Sequence, residues 1–110
     1  MGKRATTEKD QARAVLASSF SGTGQSGAVE LCGWFNFAVN AGVATIRLEK
    51  SFDGGTTWNV CAQGQSTVDV SLTSRAAGTS IVLFEPECGV LYRLNCTAYT
   101  SGPVSYRLSQ

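Results

Sequence analysis

Residues 28–39 read AVELCGWFNFAV, and the period of this stretch decides the fold. Val29, Leu31, Phe35, Phe37 and Val39 occupy odd positions; Glu30, Cys32, Trp34 and Asn36 occupy even ones. Successive side chains of a β-strand point to opposite faces, so this is one long strand with an apolar inner face and a mixed outer face. Gly33 falls among the inward positions with no side chain to bury, which marks a bulge or a close backbone approach.

The same period continues on either side. Asn40-Ala41-Gly42 is a turn, and Val43–Phe52 alternates with Ala44, Ile46 and Leu48 on one face and Thr45, Arg47 and Glu49 on the other. Asp53-Gly54-Gly55 is a strong hairpin signal, so a return strand is expected over Thr57–Ala62. Past a loop at Gly64, Thr67–Leu72 turns Val68, Val70 and Leu72 inward. Residues 74–79 read as loop and Ser80–Phe84 as a short, wholly apolar strand. Glu85-Pro86-Glu87-Cys88-Gly89 reads as a corner, because Pro86 has no amide hydrogen to donate and Gly89 accepts positive φ. Val90–Tyr99 and Val104–Leu108 are expected to form a terminal hairpin across Thr100-Ser101-Gly102-Pro103. Towards the N-terminus, Ala14–Ser21 reads as a first strand, ended by Gly22-Thr23-Gly24.

About eight short strands with turn signals every 8–12 residues describe an all-β antiparallel sandwich, Ig-like or jelly-roll-like, over residues 14–110. Residues 1–13 are a polar arm, with Lys3, Arg4, Lys9 and Arg13 set against Glu8 and Asp10; a helix starting at Thr7 would be marginal. Composition agrees with this reading. The 110 residues fit one domain, 12 of them are glycine, and charged residues, at 15%, are too few for typical exposed helices.

Several functions are excluded at this level. The chain has no histidine, which removes a Ser-His-Asp triad, a Cys-His nucleophile pair and most zinc sites. Glu85 and Glu87 flank Pro86 at an expected turn, where acidic residues are commonplace, so no catalytic residue is assigned and no enzyme is expected. No cofactor or metal motif is present. A net charge of +1 gives no broad nucleic-acid face, and no apolar run reaches the roughly 18 residues of a membrane helix. No apolar stretch follows Lys3 and Arg4, so no signal peptide is expected.

Cys32, Cys61, Cys88 and Cys96 include no C-x-x-C pair. Cys88 and Cys96 bracket one expected strand, which would hold them roughly 26 Å apart, too far for a disulfide. Full intrachain pairing is then Cys32–Cys88 with Cys61–Cys96, or Cys32–Cys96 with Cys61–Cys88. The preferred expectation is buried free thiols. Cys96 is the best core candidate, while Cys32 and Cys61, on less apolar faces, are candidates for bonds between subunits.

Ser51-Phe52-Asp53-Gly54-Gly55-Thr56-Thr57-Trp58 matches the Asp-box pattern S-x-D-x-G-x-[TS]-W. Asp53 is placed to accept amide hydrogens within the turn, Gly54 and Gly55 to supply unusual dihedrals, and Trp58 to pack back over the hairpin, so these four residues are assigned a structural role. Trp34, on the outer face of the longest strand, is the candidate anchor for a partner, together with Lys3, Arg4 and Arg13 of the arm.

Two stretches together resemble small virion proteins of tailed bacteriophages. They are Ile46–Trp58 and Glu85–Leu94, the second continuing through Cys96–Gly102 to Tyr106–Ser109. The resemblance implies a virion accessory such as a capsid decoration or cement protein, without catalytic residues. Its partners would be the major capsid protein or other virion subunits, and the chain would act as a homo-oligomer in the virion. The alternative is a carbohydrate-binding or neck and tail-fibre accessory module used in host attachment.

Overall fold

The computed structural model describes residues 15–63, 66–72 and 78–110. The strands are β1 (Val15–Phe20), β2 (Gly24–Gln25), β3 (Val29–Asn40), β4 (Val43–Ser51), β5 (Asn59–Val60), β6 (Ala62–Gln63), β7 (Ser66–Thr67), β8 (Asp69–Leu72), β9 (Thr79–Ser101) and β10 (Val104–Ser109). The expected arm at residues 1–13, including Lys3, Arg4 and Arg13, lies outside the described residues, as do Gly64 and most of the 74–79 loop.

The fold is an antiparallel β-sandwich made by one sheet that turns over on itself. Strand order is β1-β10-β3-β9-β4-β5, with β2 added to β9 and β8 to β4, while β6 and β7 pair with each other. β9 serves both layers, and the start of β3 follows it, since Val29–Leu31 pair with Tyr92–Val90. Residues Thr79–Glu85 of β9 pair with Val39–Gly33 of β3, and Leu91–Ser101 of the same strand pair with Ser51–Val43 of β4. One layer is therefore β1, β10, residues 33–40 of β3 and the first part of β9; the other is the second part of β9 with β4, β5, β8, β2 and residues 29–31 of β3.

The alternation in the sequence chooses the buried side chains. Leu31, Phe35, Phe37 and Val39 of β3 face Ile46 and Leu48 of β4 and Val90, Tyr92, Leu94 and Cys96 of β9 across a continuous core. Val104, Tyr106 and Leu108 extend the core under β1, where Phe20 packs on Tyr106 with ring centroids 4.8 Å apart. Fully burying one such side chain contributes about 1.5–3 kcal/mol, which makes the strand period the main source of stability.

Two expectations are corrected. Ser80–Phe84 and Val90–Tyr99 are not separate strands around a corner but parts of the 23-residue β9. The terminal hairpin does not exist: β10 lies between β1 and β3, and the end of β9 pairs with β4. Both faces were assigned correctly, because period fixes which side of a strand is buried; it does not fix the neighbour. The chain crosses between layers at Gly102-Pro103, joined by a cis peptide bond. Gly42 lies beside this crossing, where a Cβ would come within 2.9 Å of the Ser101 carbonyl oxygen. The expected return strand over Thr57–Ala62 is likewise broken into β5 and β6, because Cys61 turns into the core between them.

The corner survives as a break in register. Leu31 pairs with Val90 and Gly33 with Glu85, so Cys32 alone stands opposite Pro86, Glu87, Cys88 and Gly89. Gly33 and Gly89 both have positive φ, 81° and 89°, which other L-residues avoid. Each follows a cysteine, and the two cysteines are bonded: Cys32–Cys88 closes the excursion with Cα atoms 4.8 Å apart. This corrects the preferred reading of four free thiols and realises one of the intrachain pairs considered. Closing a loop of 56 residues removes unfolded-state entropy. Cys88→Ser is expected to lower unfolding free energy by about 2–4 kcal/mol in denaturant titrations, and reduction of the native chain to give the same loss.

Candidate binding face

The Asp-box turn spends its polar groups on itself. Asp53 Oδ1 accepts the Ser51 hydroxyl at 2.7 Å and the amides of Thr57 and Thr56 at 2.8 and 3.1 Å. The Ser51 hydroxyl oxygen in turn accepts the Gly55 amide at 2.8 Å. The Thr57 amide, with the Ser51 hydroxyl behind it, holds the Asp53 carboxyl down to about 2. Trp58 Nε1 donates to the Gly55 carbonyl at 3.0 Å, and the Arg93 guanidinium lies 4.3 Å from the indole centroid. Arg93 and Asn95 both donate to Glu49, at 2.8 and 3.1 Å, so the hairpin is tied to the outer face of β4 and β9. Asp53, Gly54, Gly55 and Trp58 thus build one rigid turn.

A second polar cluster lies at the sandwich edge beside the disulfide. Glu85 was expected on an exposed turn; it is instead 2% exposed and points inward from β9. The Tyr92 hydroxyl and Lys50 Nζ both donate to Glu85 Oε1, the lysine at 3.1 Å, and the Glu87 amide donates to Oε2 at 3.0 Å. Burial alone would push this carboxyl up, but Tyr92, the Glu87 amide and Lys50 outweigh it and hold it below the usual carboxylate range. Burial and the Glu85 charge push the Tyr92 phenol far up. Tyr92, Lys50 and the Glu87 amide converge on the Glu85 carboxylate, so the cluster locks the corner. Among the described residues, no set of three or more His, Cys, Asp or Glu is gathered to hold a metal.

The cysteine assignments change accordingly. Cys32 is bonded within the chain and Cys61 is only 7% exposed, so neither sulfur is placed to reach a second subunit. Burial pushes the Cys61 thiol up to about 12, leaving it protonated and unreactive. Cys96 is a core thiol, as expected.

Trp34 is the candidate that the structure leaves open. It is 67% exposed on the outer face of β3. The Trp34–Phe84 register places Phe84 of β9 beside it, with ring centroids 4.9 Å apart and planes inclined at 53°. Phe84 is 52% exposed, and Val82, two residues away on the same face, 59%. The sequence shows Ile81–Phe84 as an unbroken apolar run, which hides the fact that alternate members face outward. Only the pairing register brings Phe84 to Trp34. On the same face, Ala17, Ala38 and Ser105 form the floor of a shallow hollow with Asn40 and Arg107 at its rim.

No family model matches the chain, and no curated protein matches it. Among solved structures, the carbohydrate-binding module TmCBM61, determined in complex with β-1,4-galactotriose, is similar at 14% identity and a TM-score of 0.42, over 91% of this chain and 79% of that one.

The Glu85 cluster generates a pH prediction. Its folded-state pKa lies below the ordinary 4.5, so its contribution to stability is complete above that value and is lost as pH falls through the folded pKa. Wild-type unfolding free energy should decline on acidification below about pH 4.5, and Glu85→Gln should flatten this acid limb. Lys50→Ala, which leaves the buried carboxylate with two donors, should cost about 1.5–3 kcal/mol at neutral pH in the same titration.

Proposed function

We propose that this chain is a non-catalytic binding module that serves as a structural accessory of a tailed-phage particle, docking on the capsid surface through the outer face of β3 and β9. The observation that carries the reading is the Trp34–Phe84 pair, two aromatic rings more than half exposed and braced against each other on neighbouring strands. Leaving such surface in water is costly, and exposed apolar patches on small proteins mark interaction sites. Aromatic anchors of this kind carry a large share of protein–protein binding energy. Val82 beside them is aliphatic and offers nothing to a sugar hydroxyl, which favours a protein partner. The resemblance of Ile46–Trp58 and Glu85–Ser109 to phage virion proteins supplies the identity of that partner as a capsid or other virion subunit, and the basic residues Lys3, Arg4 and Arg13 would add contacts to it. The disulfide fits this role, since it closes the corner at the end of the paired β3 and β9 segments that present the patch.

A second reading has one observation in its favour. Asn40 and Arg107 line a shallow hollow on the outer face of β3 and β10, and their amide and guanidinium groups are suited to hydrogen-bonding glycan hydroxyls. Here the module would attach the particle to its host.

Sedimentation with purified particles separates the readings. Wild-type protein is expected to co-sediment in fixed ratio to the major shell protein, and Trp34→Ala or Phe84→Ser to weaken binding at least about 30-fold, as loss of an aromatic hot spot does. Absence from particles, or unchanged binding by both variants, would contradict the proposal. Retardation on a glycan-loaded gel that depends on Arg107 would favour the second reading.

A further inference from the structure

We propose that the outer edge of β9, residues Ser80–Phe84, pairs antiparallel with the same edge of a second copy of this chain across a two-fold axis. The inference rests on the backbone and does not depend on what the outer face binds.

The first part of β9 has a strand on one side only. Thr79–Glu85 pair with β3, and among the described residues no strand lies along the other side. Alternate amides and carbonyls of Ser80–Phe84 therefore point away from the sheet, a ready template for another strand. Natural edges are blunted by charge, proline or a bulge. Ser-Ile-Val-Leu-Phe has none of these. Its register with β3 is unbroken from Thr79 to Glu85, the adjacent Glu85 is buried, and Pro86 stands beyond it. The edge is thus five residues long, uncharged and straight.

The side chains choose the partner. On the outer face, Val82 and Phe84 are 59% and 52% exposed along this edge. A two-fold pairing near Val82 sets each copy's Val82 against its mate and brings each Phe84 towards the mate's Ser80, covering apolar surface symmetrically. An isologous contact of this kind closes at two copies. The other edge of the layer, β1, presents Ala17 and Ser19 outward with Val15, 44% exposed, at its start, less apolar surface than Val82 and Phe84 together. Pairing along β9 also unites the two Trp34–Phe84 patches into one strip, so the dimer presents a bivalent surface, and bivalent attachment raises avidity without new contacts.

Sedimentation equilibrium of the full chain at about 100 µM tests the pairing, with mass action driving any association. Twice the 11.6 kDa of one chain is expected. Val82→Lys, which sets like charges at the axis on an exposed position, is expected to give the single-chain mass with an unchanged circular dichroism spectrum. Ser80→Pro, which removes an edge amide, is the second variant if the first does not fold. Hydrogen exchange supplies the backbone readout: alternate amides of residues 80–84 should exchange at least about tenfold faster in Val82→Lys than in wild type. A wild-type monomer, a dimer that survives both substitutions, or an open series of larger species would each overturn the pairing. These measurements contain no phage particle or glycan, so a negative result leaves the reading of the outer face untouched.

Discussion

The passage of β9 from one layer to the other is the constraint on which the rest of the molecule depends. A single 23-residue strand cannot pair continuously on both sides and still fold over a core. The chain resolves this at one place, where four residues of β9 stand opposite Cys32. Two positive-φ glycines make the bend, the Cys32–Cys88 bond closes it, and Glu85 fastens it from inside through Tyr92 and Lys50. Below this corner β9 pairs, among the described residues, with residues 33–39 of β3 alone; above it, β9 pairs with β4 on one side and with Val29–Leu31 of β3 and β2 on the other. Loss of the corner would separate the two layers and expose Phe35 and Tyr92, whose rings meet at 4.8 Å within the core beside it.

How much of this was legible follows from what a period of two encodes. The inward positions of β3, β10 and the second part of β9, with Ala44, Ile46 and Leu48 of β4, were readable residue by residue, because burial on one face leaves alternate apolar residues in the sequence; the buried Glu49 of β4 was not. The bulge at Gly33 was readable too, as a glycine where a large side chain was due. Neighbours were not. Nothing in Val104–Leu108 distinguishes pairing with β9 from pairing with β1 and β3, because both bury the same three side chains. Glu85 was misplaced because a carboxylate beside proline usually marks a turn; its burial depends on Tyr92 and Lys50, one in the same strand and one in β4.

The candidate face was half legible. Trp34 on the mixed face of β3 could be singled out from alternation alone, and the Asp-box residues from their pattern. Phe84 and Val82 could not, since a wholly apolar run gives no sign of which members face outward. Their partnership with Trp34 comes from a register set on the far side of the corner. The two cysteines that alternation placed on less apolar faces illustrate the same limit. Cys32 finds a mate 56 residues away, and Cys61 is drawn inward by a local turn.

The corner holds together the β3 and β9 segments that present the Trp34–Phe84 platform, while the Ser51–Trp58 turn and the Glu49–Arg93 network brace the opposite layer. The central claim is that this platform is the surface on which the chain works. Hydrogen–deuterium exchange of the chain with and without purified phage particles tests it most directly. The account predicts new protection concentrated in residues 33–36, around the Trp34 ring. Protection confined to the Asp53–Trp58 turn, or none at all, would contradict it.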